Sequence, residues 1–143
     1  MSAMSTFVRD EQHWLLKLSP SEWIRAALGE LRRAEEAYAR KNGRAGLAGA
    51  RRAAGMALNG ALIVEPNEAW GRSYVDHLMA LSKDGGVPAR VREASAILLE
   101  TPLPGGELVA LRTASADDKV LEAARDLAAH AYAIVQRHRE ETP

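Results

Sequence analysis

The stretch Arg44 to Val64, RAGLAGARRAAGMALNGALIV, constrains the fold more than any other part of the chain. Leu47, Ala50, Ala54, Leu58, Ala61 and Leu62 recur at helical spacing and share one face. Gly46, Gly49 and Gly60 fall with Ala53 on another side, where the lack of bulk lets a neighbouring backbone come close. The pattern predicts one helix of about 20 residues. Small residues on two of its sides place it in the middle of a helical bundle.

The flanking segments supply the neighbours. Ser19-Pro20-Ser21-Glu22 is a helix start: serine caps, proline suits the first position, and glutamate completes a capping box. From there a helix is predicted to about Lys41, burying Trp23, Ala27, Leu31, Ala34 and Tyr38. Asn42-Gly43 is read as its stop. The short connection makes it and the central helix antiparallel neighbours. Pro66 stops the central helix. A third helix is predicted from Ala69 or Gly71 to Ser82, with Trp70, Tyr74, Leu78 and Leu81 on its apolar side. After the Asp84-Gly85-Gly86 turn, Pro88 opens a fourth to about Glu100, burying Val91, Ala94, Ile97 and Leu98. Thr101 to Gly106 reads as loop, and Leu108 to Leu111 as a short apolar run that fits a strand, a half-turn or loop packing alike. The last helix is capped by Thr113 or Ser115, has Asp117 and Asp118 at its positive end, and runs to about Arg139. Its predicted face is Val120, Leu121, Ala124, Leu127, Ala128, Ala131, Ile134 and Val135.

The expected architecture is therefore all-α: an up-and-down bundle of four main helices plus short extra ones. Residues 1–18 form an N-terminal tail with a short helix expected over 9 to 18, and 19–143 a single helical-bundle domain. A chain of 143 residues is long enough to bury a core without disulfides or metal. With no cysteine, disulfides and thiolate metal sites are excluded. His13, His77, His130 and His138 are scattered, so no metal site and no cofactor are implied. Formal net charge is zero, giving no global pull toward nucleic acid or membrane. No apolar run approaches the roughly 18 residues needed to span a bilayer, and the start of the chain lacks the long apolar stretch of a signal peptide. The expected address is the cytoplasm.

At Glu68-Ala69-Trp70-Gly71-Arg72-Ser73, followed by Val75, Leu78 and Leu81, the chain resembles the "xxWGHS…L…L" segment of HEPN domains. These are small prokaryotic helical domains, often encoded beside a minimal nucleotidyltransferase. Arg51 to Leu62 is similar to their "QQAAEKALKALL" run, and the last helix shares their A…A…I spacing. The similarity covers roughly residues 21 to 138. It implies a helical homodimer that binds nucleotide or nucleic acid, with a nucleotidyltransferase or toxin–antitoxin partner. Two departures stand out. The family's Glu, Lys and Lys are Gly55, Met56 and Asn59 here, and its "RYP" element is not recognisable after the fourth helix.

One branch of that family consists of metal-independent endoribonucleases with an R-x4-H-x-Y pattern, which Arg125, His130 and Tyr132 match. In such a role His130 moves a proton from a ribose hydroxyl and Arg125 holds the phosphate; Tyr132 resembles the tyrosine that the partner modifies. Arg72 and His77 show the same spacing, however, and the plain alternative pairs Arg125 with Glu122 or Asp126.

Candidate ligand-binding residues are Arg51, Arg52, Asn59 and Trp70. The two arginines belong to a basic run, Arg40, Lys41, Arg44, Arg51 and Arg52, suited to phosphates. The alternative for that run is pairing with Glu30, Glu35 or Glu36. Arg51 lies near the apolar stripe and needs a partner, an acid in the same subunit or across a dimer. Trp70 either stacks a base or plugs the core. Asn59 either reads a ligand or caps backbone, and His77 reads as structural. Three functions follow: noncatalytic nucleotide or nucleic-acid binding, endoribonuclease activity through Arg125 and His130, or a degenerate module that binds only protein.

Overall fold

The computed structural model describes residues 14–102 and 114–141, and every regular element within them is helical. A 3-10 turn at Trp14–Lys17 precedes α1 (Pro20–Ala39) and α2 (Gly43–Val64). A second 3-10 turn at Glu68–Trp70 leads to α3 (Tyr74–Ser82), α4 (Ala89–Glu100) and α5 (Ala114–Glu141). The predicted apolar run 108–111, the loop beyond Pro102, the cap at Thr113 and the tail before Trp14 lie outside the described residues. No described helix is long and apolar enough to cross a membrane.

Helix α1 starts where the sequence places it. The Glu22 N–H donates to Ser19 Oγ at 3.2 Å, and the Ser19 N–H donates to Glu22 Oε1 at 2.9 Å. Its end differs from expectation. Arg40 is the C-cap and Lys41 takes the left-handed conformation at φ 62°. The Lys41 N–H donates to the Tyr38 carbonyl and the Asn42 N–H to the Ala37 carbonyl, which is a Schellman closure with lysine in the position glycine usually fills. Asn42 then caps α2 through Ala45 N–H, so Gly43 opens the second helix rather than ending the first.

Helix α2 is the centre of the molecule. Thirteen of its residues are buried, from Gly46 to Leu62, and it packs on α1, α3 and α5. The glycine side faces α1. A Cβ at Gly49 would lie 3.1 Å from Ala34 Cβ, and one at Gly60 would lie 2.9 Å from the Pro20 carbonyl oxygen. Gly46 meets the Tyr38 ring. Low residue numbers of one helix thus meet high numbers of the other, as an antiparallel pair requires. Helix α5 packs on α2 with the whole predicted face buried, Val120 to Val135.

Two further boundaries move. The third helix begins at Tyr74, because Gly71 at φ 64° breaks the chain direction and Ser73 caps α3 with Asp76 as the reciprocal acid. In α4 the buried positions are Val91, Ala94, Ser95 and Leu98. Ser95 hides its hydroxyl by donating to the Val91 carbonyl at 3.0 Å, while Ile97 is only half-buried, at the groove between α4 and α5. Ser115 lies inside α5, so it is not the cap.

Candidate functional site

The end of the Trp-Gly-Arg-Ser segment, Arg72 and Ser73, forms with Tyr74 one wall of a cleft of about 340 Å³ that Lys17, Trp23 and Asn59 also line. The wall is built locally. Asn67 Oδ1 accepts from Ala69 N–H at 3.0 Å, which closes the 3-10 turn. Gly71 then takes a conformation that side chains resist, and a Cβ there would collide with Asp76. The Asp76 N–H donates to Ser73 Oγ at 3.0 Å, starting α3. Hydrogen bonds from Ser73 hold the Asp76 carboxyl below the usual carboxylate range. Arg72, Ser73 and Tyr74 are consecutive residues projected from this bend.

The opposite wall comes from the chain's first described turn. Trp23 is buried, and its Nε1–H donates to the Leu15 carbonyl at 2.8 Å. That bond fixes the Trp14–Lys17 turn to α1 and brings Lys17 to the rim. Tyr74 is half-buried, and burial raises its phenol pKa, with Arg52 opposing and Glu30 adding. Its hydroxyl therefore stays protonated at neutral pH.

Asn59 forms the floor. It is 1% exposed, and His77 beneath it is fully buried. Asn59 Oδ1 lies 2.8 Å from His77 Nε2, and His77 Nδ1 lies 2.7 Å from the Trp70 carbonyl oxygen. This chain of contacts ties α2, α3 and the 3-10 turn together. It also explains why a histidine sits in the core: both ring nitrogens are engaged. No described residue hydrogen-bonds the other heavy atom of the Asn59 amide, and that atom is left for the cleft. A side chain this buried, with one amide atom unengaged beside an open cleft, makes this the candidate site.

The other candidates are distributed elsewhere. Arg51 needs a partner, as its position on the stripe implies, but the partner is backbone rather than an acid. Its Nε–H donates to the Leu98 carbonyl at 2.7 Å and its Nη2 to the Thr101 carbonyl at 2.9 Å. These are orphan carbonyls at the end of α4, so Arg51 caps that helix. Arg52 pairs with Glu30 at 2.8 Å, and Glu30 also holds Arg33. Trp70 is buried and does not line the cleft; its carbonyl, not its ring, serves the site. Gly55, one of the positions that departs from the family run, backs onto Tyr74, whose ring leaves no room for a Cβ.

Arg125, His130 and Tyr132 are divided. Arg125 Nη2 donates to Glu35 at 2.7 Å rather than to Glu122 or Asp126. With Tyr132 it lines an apolar groove of about 440 Å³ between α1 and α5 that includes Leu28 and Leu31. His130 feels Glu65, Arg137 and Asp84 instead, and burial lowers its pKa. The 140° between the two residues thus separates them around α5. Sequence reasoning named Asn59 but missed Lys17, Trp23, Arg72, Ser73 and Tyr74 as cleft residues, since nothing in the local pattern brings the chain's start to α3.

No protein-family model, curated protein or solved structure matches the chain.

Proposed function

We propose that this chain binds a nucleotide or the end of a nucleic acid in the Asn59 cleft, without catalysing its cleavage. The observation that carries this is the unengaged amide atom of a buried asparagine beneath a rim holding Lys17 and Arg72. Two cations suit a phosphate. Half-buried Tyr74 offers a base an aromatic neighbour in the same cleft. The volume falls within the range of small-molecule sites. The HEPN-like reading is compatible with this placement, since the Trp-Gly-Arg-Ser element that carries the resemblance builds the wall. In that reading the long helices form an up-and-down bundle that acts as a homodimer beside a nucleotidyltransferase or toxin–antitoxin partner. The endoribonuclease alternative draws less support, because Arg125 and His130 have different neighbours.

Isothermal titration with AMP at pH 7.5 and low salt tests the site. Lys17→Ala and Arg72→Ala are each expected to weaken binding about five- to tenfold, as loss of one charge-assisted contact does. Arg51→Ala is expected to leave affinity unchanged and to lower stability by about 1–2 kcal/mol, because α4 loses its capping donors. Binding indifferent to Lys17 and Arg72, or abolished by Arg51→Ala in a folded protein, would place the ligand elsewhere.

A further inference from the structure

We propose that Asn59 turns its amide oxygen toward the cleft and so selects ligands whose inner end carries an amino group, adenine or cytosine over hypoxanthine or uracil. This rests on the cleft being a nucleotide site, and it adds what the floor reads.

The geometry runs from the inside outward. The Trp70 carbonyl can only accept, so His77 Nδ1 carries a proton and donates across 2.7 Å. The ring is fully buried, and no described carboxylate touches it. Asp76, its sequence neighbour, is hydrogen-bonded to Ser73. A buried imidazole with no carboxylate hydrogen-bonded to it is neutral; burial pushes the pKa of His77 down, opposed only in part by the hydrogen bond to Trp70 and the charge of Asp76. A neutral ring with Nδ1 protonated has a lone pair on Nε2, which must accept. The group that meets it is the Asn59 amide, with Oδ1 assigned to the contact at 2.8 Å. Oxygen and nitrogen of an amide interchange by a half-turn without a change of shape. Only the nitrogen satisfies Nε2, so the oxygen takes the position facing the cleft.

An acceptor at the floor fixes the ligand's polarity. Phosphate is repelled from the floor and stays at the rim with Lys17 and Arg72. The inner end must offer an N–H. An exocyclic amine projects one toward the oxygen. An oxo group at the same position brings carbonyl against carbonyl. Turning the amide to relieve that contact would face its oxygen to Nε2 and demand a second proton on a buried ring.

The test compares matched pairs that differ by amino against oxo: CMP with UMP and AMP with IMP, titrated into the full chain at pH 8. The amino member is expected to bind about tenfold more tightly in each pair, and Asn59→Leu is expected to erase the difference. Nitrogen-15 spectra of the unmutated protein give a readout that survives if that variant does not fold: Nε2 of His77 is expected to appear unprotonated and Nδ1 protonated. Equal affinities within both pairs, still dependent on Lys17 and Arg72, would overturn the selection while leaving the cleft as the site. A protonated Nε2 would overturn it as well. Failure of all four nucleotides to bind would remove both the selection and the site.

Discussion

Replacing Gly60 by leucine is expected to destabilise the fold by at least about 3 kcal/mol, read as a shift of the urea midpoint. The reason is contact with backbone. A Cβ at this position would sit 2.9 Å from the Pro20 carbonyl oxygen and 3.2 Å from Trp23 Cβ. Pro20 opens α1 and cannot swing aside as a side-chain tip can. The three further carbons of leucine would enter space held by Trp23 and Ile24. Alanine at Gly60 is a milder case. Its better helix propensity, about 1 kcal/mol, partly offsets the same close approach. Gly85→Ala serves as the control: nothing lies within 4 Å of its Cβ, and a change within about 0.5 kcal/mol is expected. For a domain whose whole stability is about 5–15 kcal/mol, the leucine variant loses a large share. It also forces α1 away from α2 at the Trp23 end, so the Lys17 wall of the cleft moves with it. A Gly60→Leu protein as stable as the parent would mean that α1 and α2 do not meet there.

His77→Leu is expected to cost about 3 kcal/mol at pH 8. Leucine fits the volume, but it leaves the Trp70 carbonyl and the Asn59 amide in the core without a partner. Each such group costs about 1–3 kcal/mol. The variant should also change how stability depends on pH. Burial lowers the folded pKa of His77, only partly opposed by the hydrogen bond to Trp70 and the charge of Asp76. Between about pH 6.5, where an unfolded histidine titrates, and the lower folded value, the unfolded chain binds the extra proton. Stability is therefore complete above about pH 6.5 and falls as the pH drops through that window, by at most about 1.4 kcal/mol per pH unit for one group. His77→Leu should show a shallower slope between pH 8 and pH 5. Some slope remains, because burial lowers His130 in the same direction. An unchanged slope would mean that His77 is not held neutral in the folded state.

The order of the helices and most of their buried faces were legible because they depend on periodicity and caps. Ser19 and Glu22 are three residues apart and form their box without help from the rest of the chain. The small face of α2 could be read from Gly46, Gly49 and Gly60, and α1 fills it. The misplaced boundaries have separate local causes. Asn-Gly is as good an entrance as an exit, and Lys41 took the left-handed position in place of glycine. For α3 the signal was present in Ser73 and Asp76, but Trp70 and Gly71 look equally helical until the φ of Gly71 breaks the run. The site was less legible. Asn59 was a candidate, but the reason lies in His77, 18 residues away on another helix. No spacing rule encodes a cross-helix hydrogen bond. The partner of Arg51 is a set of carbonyls that exists only once α4 has ended. Arg125 and His130 have the spacing of a known pair, yet spacing does not decide which side of a buried helix each residue meets.

Chemical-shift mapping of AMP onto the uniformly nitrogen-15-labelled chain at pH 7.5 tests the central claim most directly. The largest shifts are expected at the Asn59 side-chain amide and at the backbone of Lys17, Arg72, Ser73 and Tyr74, with little change at Arg51, Arg125 or Tyr132. Shifts centred on Arg51 and Arg52, or on the groove between α1 and α5, with the Asn59 amide unmoved, would contradict it.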